Sequence, residues 1–193
     1  MTTFSINTKT RDPGRRALLL PGTRYTSQGP LLWYTEQVLA GHGWTTEVLS
    51  WDGSPESREE ARTVYDKILR RRTAVESEAK YLVVGKSLGT LALPTAVELR
   101  VPGVWLTPPI SKLFGEPKLR SAVRSLSEAG VPAFFAGGTA DVQWDGKLAR
   151  RGGAVHEVQD ANHFLEIPGD WHASLVSVTG VICAVDGFIS TLG

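Results

Sequence analysis

Gly85-Lys86-Ser87-Leu88-Gly89 sets a serine between two glycines, directly after the apolar run at residues 81–84 and directly before a helical stretch reaching about Val97. A serine in a strand-to-helix turn of the form G-x-S-x-G is held in a strained backbone that lifts its hydroxyl clear of the sheet. The flanking glycines leave room for that turn, and the helix start behind it favours developing negative charge. Such a hydroxyl becomes a useful nucleophile only beside a base. The chemistry to look for is therefore acyl transfer through Ser87.

Four histidines are present: His42, His156, His163 and His172. His42 follows a helix and enters a strand, His156 lies inside a strand, and His172 begins the last helix. His163 alone falls just past the carboxyl end of a strand, in Asp160-Ala161-Asn162-His163-Phe164. The base also needs a carboxylate to hold its tautomer and stabilise the imidazolium. Asp141 fits, following a strand in Phe135-Ala136-Gly137-Gly138-Thr139-Ala140-Asp141. Asp145 and Asp160 are nearby competitors, and Asp52 is an outside choice. Asp160 stands three residues before His163 and reads as a loop cap.

The elements that must position these groups alternate. Strands are expected at residues 17–20, 45–51, 81–84, 101–106, 131–136 and 154–158. Helices are expected at 31–40, after the elbow to about 97, at 118–129 and at about 170–192. A further helix opens at Ser54-Pro55, or at the capping box of Ser57 and Glu60, with Ala61, Val64, Ile68 and Leu69 as its core positions. The apolar face of the last helix is read as Leu175, Val178, Ile182, Val185 and Ile189. Alternation of this kind calls for an α/β fold: a three-layer α/β/α sandwich around a mostly parallel sheet of about six strands, with functional residues in the loops beyond the strands' carboxyl ends.

Composition narrows the function classes. The chain has 193 residues, 41% hydrophobic, and a formal net charge of +1. That length suits one domain, preceded by a polar N-terminal arm at residues 1–16. The near-neutral balance argues against nucleic-acid or membrane-surface partners. Arg70-Arg71-Arg72 reads as a solvated helix end. Cys183, the single cysteine, reads as a buried small hydrophobe, and Lys86 as solvated. The arm has no apolar signal segment, and the apolar stretch at 176–189 contains Asp186 and reads as too short and mixed for a membrane span. A cytoplasmic location is expected. There is no metal-ligand spacing and no glycine-rich dinucleotide fingerprint, so no metal or cofactor is expected.

The order Ser87, Asp141, His163 resembles that of the α/β-hydrolase superfamily, and the resemblance extends over nearly the whole chain from Ala17. Its compact dienelactone-hydrolase-like bacterial members are most similar, echoed in Pro30-Leu31-Leu32-Trp33-Tyr34, in the elbow, in Gly138-Thr139-Ala140-Asp141 and in Asn162-His163-Phe164-Leu165-Glu166. Dienelactone hydrolases use cysteine where this elbow has serine, so their substrate does not carry over. The resemblance implies an oxyanion hole of two backbone amides, Leu88 and one from the loop after the first strand: Thr23, with Gly22 and Arg24 as alternatives. The connection between Leu106 and Lys118 is too short for a helical cap domain, which implies an open site. Tyr25, Trp144 and Phe164 are candidates to line an acyl pocket, whereas Trp33 reads as packing. The expected function is a serine hydrolase acting on a small-molecule carboxylic ester or thioester. A non-catalytic binding module on the same fold and an acyltransferase using the same acyl-enzyme are the alternatives.

Overall fold

In strand β2, Asp12–Leu20, successive leucines enter two different cores: Leu18 and Leu20 one, Ala17 and Leu19 the other. The same alternation separates Val83 from Leu82 and Val84 in β4 (Lys80–Lys86), and Trp105 from Val104 and Leu106 in β5 (Gly103–Leu106). Strands with both faces covered read as continuous apolar runs, and parallel sheets require that cover. The remaining strands are β1 (Phe4–Lys9), β3 (Trp44–Trp51), β6 (Ala133–Gly138) and β7 (Ala154–Val158). These assignments come from a computed structural model that describes residues 2–75 and 77–193.

Among the described residues the sheet has seven strands in the order β1-β3-β2-β4-β5-β6-β7, of which only the β1–β3 pair is antiparallel. The expected six become seven because the N-terminal arm is not a free tail. Residues 4–9 pair with 46–51, and β2 begins at Asp12 rather than Ala17. An edge strand with Ile6 as its only partly buried residue lacks the apolar run that marks an inner strand.

Helices α1 (Pro30–Gly41) and α6 (Trp171–Ser190) contact each other and pack on one face. The other face carries α2 (Arg58–Val75), α3 (Leu93–Glu98), α4 (Pro117–Ala129) and α5 (Gly146–Gly152). α2 starts at Arg58, where the Ser57 hydroxyl accepts the Glu60 amide at 3.1 Å; Ser54-Pro55 belongs to the preceding loop. α5 was not expected, and seven residues carry too little periodicity to reveal it. On α6 the buried residues are Val181, Val185 and Ile189, while Leu175 is 60% exposed. Cys183 is likewise exposed, not buried. By length and composition alone α6 could also cross a membrane, contrary to the reading of its sequence, although here it lies against the sheet.

From β2 the chain crosses by α1 to β3; from β4 it crosses by α3, on the opposite face, to β5. The connections thus diverge between β2 and β4, and a crevice opens beyond the carboxyl ends of these two strands. Ser87 stands at one lip of it and Thr23 at the other.

Candidate active site

Ser87 is the first residue of a 3-10 turn, Ser87–Ala92, that follows β4 without a break. Its φ of 50° is a left-handed conformation that costs a non-glycine residue about 1–3 kcal/mol. The neighbouring glycines are required by space. A Cβ at Gly85 would lie 2.7 Å from the Gly89 carbonyl oxygen, and one at Gly89 would collide with the Leu20 carbonyl. The turn is closed by the Thr90 hydroxyl, which donates to the Ser87 carbonyl at 2.5 Å.

His163 Nε2 lies 2.8 Å from Ser87 Oγ, and His163 Nδ1 lies 2.7 Å from Asp141 Oδ2. Asp141 is 7% exposed, and its second oxygen accepts the Gln143 amide at 2.9 Å. An ionised carboxylate only accepts, so the imidazole proton belongs on Nδ1 and Nε2 is free to take the serine proton. Chain contacts fix the loops that carry these side chains. The Ala140 amide donates to the Ala161 carbonyl at 3.0 Å, joining the aspartate loop to the histidine loop. Asn162 Oδ1 accepts the Phe164 and Glu166 amides at 2.8 and 3.2 Å.

The competing carboxylates are occupied elsewhere. Asp145 caps α5 by accepting the Leu148 amide at 3.0 Å, and it pairs with Arg120. Asp52 accepts the Thr3 hydroxyl at 3.0 Å, and Asp160, at φ 59°, accepts from the Gln159 side chain. Among the histidines, His42 pairs with Asp186 at 2.7 Å, on the α1–α6 side.

A small cleft of about 40 Å³ beside Ser87 is lined by Thr23, Arg58, Leu88, Leu91, Pro109 and Gln143. Thr23 also borders a neighbouring hollow of about 90 Å³, formed by residues 21–27, the end of β3 and the loop after it. Leu88 lies in the first turn of its helix, where amides have no acceptor in a preceding turn. Both residues expected to supply oxyanion amides therefore border the cleft, while Gly22 and Arg24 border the hollow.

The aromatic candidates divide. Tyr25 and Phe164 stack beside the histidine, with ring centroids 6.4 Å apart and planes at 27°. Burial pushes the Tyr25 phenol up to about 12, and its oxygen accepts the Leu31 amide at 2.9 Å. None of the three lines the small cleft: Tyr25 borders the neighbouring hollow, Phe164 borders neither, and Trp144 turns away from both. It packs in the core against Gly137 and donates Nε1 to Glu157 at 2.7 Å.

Lys86 is also a correction: it is 1% exposed, not solvated. Strand alternation carried the signal, because Leu82, Val84 and Lys86 share one face of a strand covered on both sides. Arg58 and Gln143 were not anticipated, and nothing local in the sequence marks them.

No protein-family model matches the sequence, and no curated protein is significantly similar to it. Solved structures are similar in fold. Est1E from Butyrivibrio proteoclasticus, solved with ferulic acid bound, superposes with a TM-score of 0.69 at 13% identity, covering 98% of this chain and 95% of that one. An α/β serine hydrolase homologue from Coxiella burnetii gives 0.68 at 12% identity, covering 95% and 90%. A serine hydrolase without a lid from Xanthomonas campestris gives 0.62 at 12%, covering 98% and 89%. This chain has the α/β-hydrolase fold, and its described residues form no cap domain.

Proposed function

We propose that the protein is a serine hydrolase that cleaves a small carboxylic ester or thioester through an acyl-enzyme on Ser87. The observation that carries this reading is the unbroken path Ser87 Oγ, His163 Nε2, His163 Nδ1, Asp141 Oδ2, with steps of 2.8 and 2.7 Å outside the ring. In the first half-reaction His163 takes the Ser87 proton as Oγ attacks the substrate carbonyl carbon. The tetrahedral oxyanion is held by the Leu88 and Thr23 amides, each worth about 3 kcal/mol in the transition state. The imidazolium then protonates the leaving alcohol or thiol as its bond to carbon breaks. In the second half-reaction water gives a proton to His163 and attacks the acyl carbon, and Ser87 leaves with that proton.

Asp141 keeps the imidazole in the required tautomer throughout. The small cleft favours short acyl groups, and the absence of a cap domain among the described residues leaves room for a bulky leaving group. A binding module would have no need of this hydrogen-bonded path, which favours the hydrolytic reading. The test is hydrolysis of p-nitrophenyl acetate, p-nitrophenyl octanoate and acetyl thioesters by the wild type and Ser87→Ala. Turnover of the acetyl compounds, lost in the variant, supports the proposal; equal turnover by both proteins contradicts it.

A further inference from the structure

We propose that Lys86 is a positioning residue: its ammonium ties the histidine loop and the Tyr25 loop to the elbow, and so sets His163 against Ser87. The proposal rests on the hydrolytic reading of the site, because it assigns a role within that reaction.

Lys86 Nζ donates to the His163 carbonyl at 3.1 Å. It also lies 4.9 Å from the centroid of the Tyr25 ring and 5.4 Å from that of Phe164. Two consecutive residues of the elbow therefore hold the same histidine at opposite ends. Ser87 meets the imidazole, and Lys86 meets the main chain. Tyr25 comes from the loop that carries Thr23, so one ammonium joins three of the loops that meet at the site.

The histidine loop has reason to need such a tie. Asp160 and Leu165, on either side of His163, have φ of 59° and 62°. Backbone of this kind persists only where surrounding contacts over-determine it. A charged bond to the carbonyl of the central residue is one such contact, and charge-assisted bonds are stronger than neutral ones. Volume alone does not account for a lysine here. Burying an ammonium is expensive, and an apolar side chain of similar length fills the same space without that cost.

The groups facing this ammonium come from three elements: Asp141 after β6, His163 after β7, and Tyr25 after β2. Burial lowers the Lys86 pKa to about 8, and the Asp141 charge opposes that fall. The Tyr25 phenol, at about 12, stays protonated through this range. Just above neutral pH the ammonium loses its charge, and with it the attraction to both rings and the charge on the bond to His163.

The test is the rate of Ser87 labelling by a fluorophosphonate between pH 6 and 10, with kcat and KM on p-nitrophenyl acetate, for wild type, Lys86→Met and Phe164→Leu. The wild-type rate is expected to fall above about pH 8. Lys86→Met is expected to label about tenfold to a hundredfold more slowly at pH 7, the range for loss of one hydrogen bond to a charged group, with kcat reduced, KM little changed and no fall above pH 8. Phe164→Leu retains the lysine but removes one ring, so its alkaline fall should move to lower pH. This variant decides the matter even if Lys86→Met does not fold.

Wild-type labelling at Ser87 with the same rate and alkaline limb in all three proteins overturns the positioning role and leaves the hydrolase reading intact. A fall above pH 8 that persists unchanged in a folded Lys86→Met overturns it as well. Absence of labelling in the wild type at every pH overturns both.

Discussion

His163 Nδ1 lies 2.7 Å from Asp141 Oδ2, while the other carboxylate oxygen of Asp141 accepts the Gln143 amide at 2.9 Å. The aspartate is thus held by its own loop before it meets the histidine, so one oxygen is aimed at the ring and cannot rotate away. Asp141→Asn is expected to lower kcat about 10⁴-fold with the fold unchanged, because an amide can present its N–H to Nδ1 and reverse the tautomer. Asp145→Asn and Asp160→Asn should retain near wild-type kcat. Steady-state kinetics on p-nitrophenyl acetate for the three variants checks this.

Gly89 packs directly over the Leu20 carbonyl, so the elbow is wedged between β2 and β4. Gly89→Ala is expected to destabilise the fold by about 1–3 kcal/mol, the usual cost of overpacking a tight site. It should also slow catalysis, since relief of the clash moves the Leu88 amide. Chemical denaturation together with kcat/KM tests both consequences.

Lys86 ties stability to pH. Its folded pKa, about 8, lies below the ordinary 10.5. The unfolded chain therefore binds more protons between pH 8 and 10.5, and folding becomes more favourable as pH rises through that window. The burial cost is fully present below pH 8 and is relieved toward 10.5, by about 3 kcal/mol at most. Relative to Lys86→Met, the wild type should gain stability across this range in urea unfolding, while its catalytic rate falls. Opposite trends in the two quantities distinguish this residue from one that only supports the fold.

Trp144 gives a prediction of no effect on chemistry. Trp144→Phe removes the bond to Glu157 and should cost about 1 kcal/mol of stability, with kcat and KM for short-chain esters close to wild type. A large rise in KM would return this residue to the substrate site.

The placement of Ser87 and Asp141 was legible because each follows an inner strand covered on both faces. His163 instead follows the edge strand β7, which carries His156 and Glu157, and was placed by its position past that strand's end. Inner strands announce themselves as continuous apolar runs. Strand β1 did not, since the polar residues around Ile6 at an exposed edge resemble a tail. Trp144 stands three residues from Asp141 in sequence, but the turn after Asp141 carries it back over Gly137 and into the core. Proximity along the chain misrepresented its direction. Lys86 misled through its residue type, although the period of two along β4 placed it inward. On α6 the apolar residues surround most of the helix, so composition could not say which stripe is covered; the residues buried are Val181, Val185 and Ile189.

The central claim is that Ser87 is an activated nucleophile. It is tested most directly by treating the folded protein with a fluorophosphonate and locating the adduct by mass spectrometry, with Ser87→Ala and His163→Ala alongside. One adduct, on Ser87, absent from the first variant and strongly slowed in the second, is the expected result. A well-folded wild type that forms no adduct, or that reacts equally without His163, would contradict it.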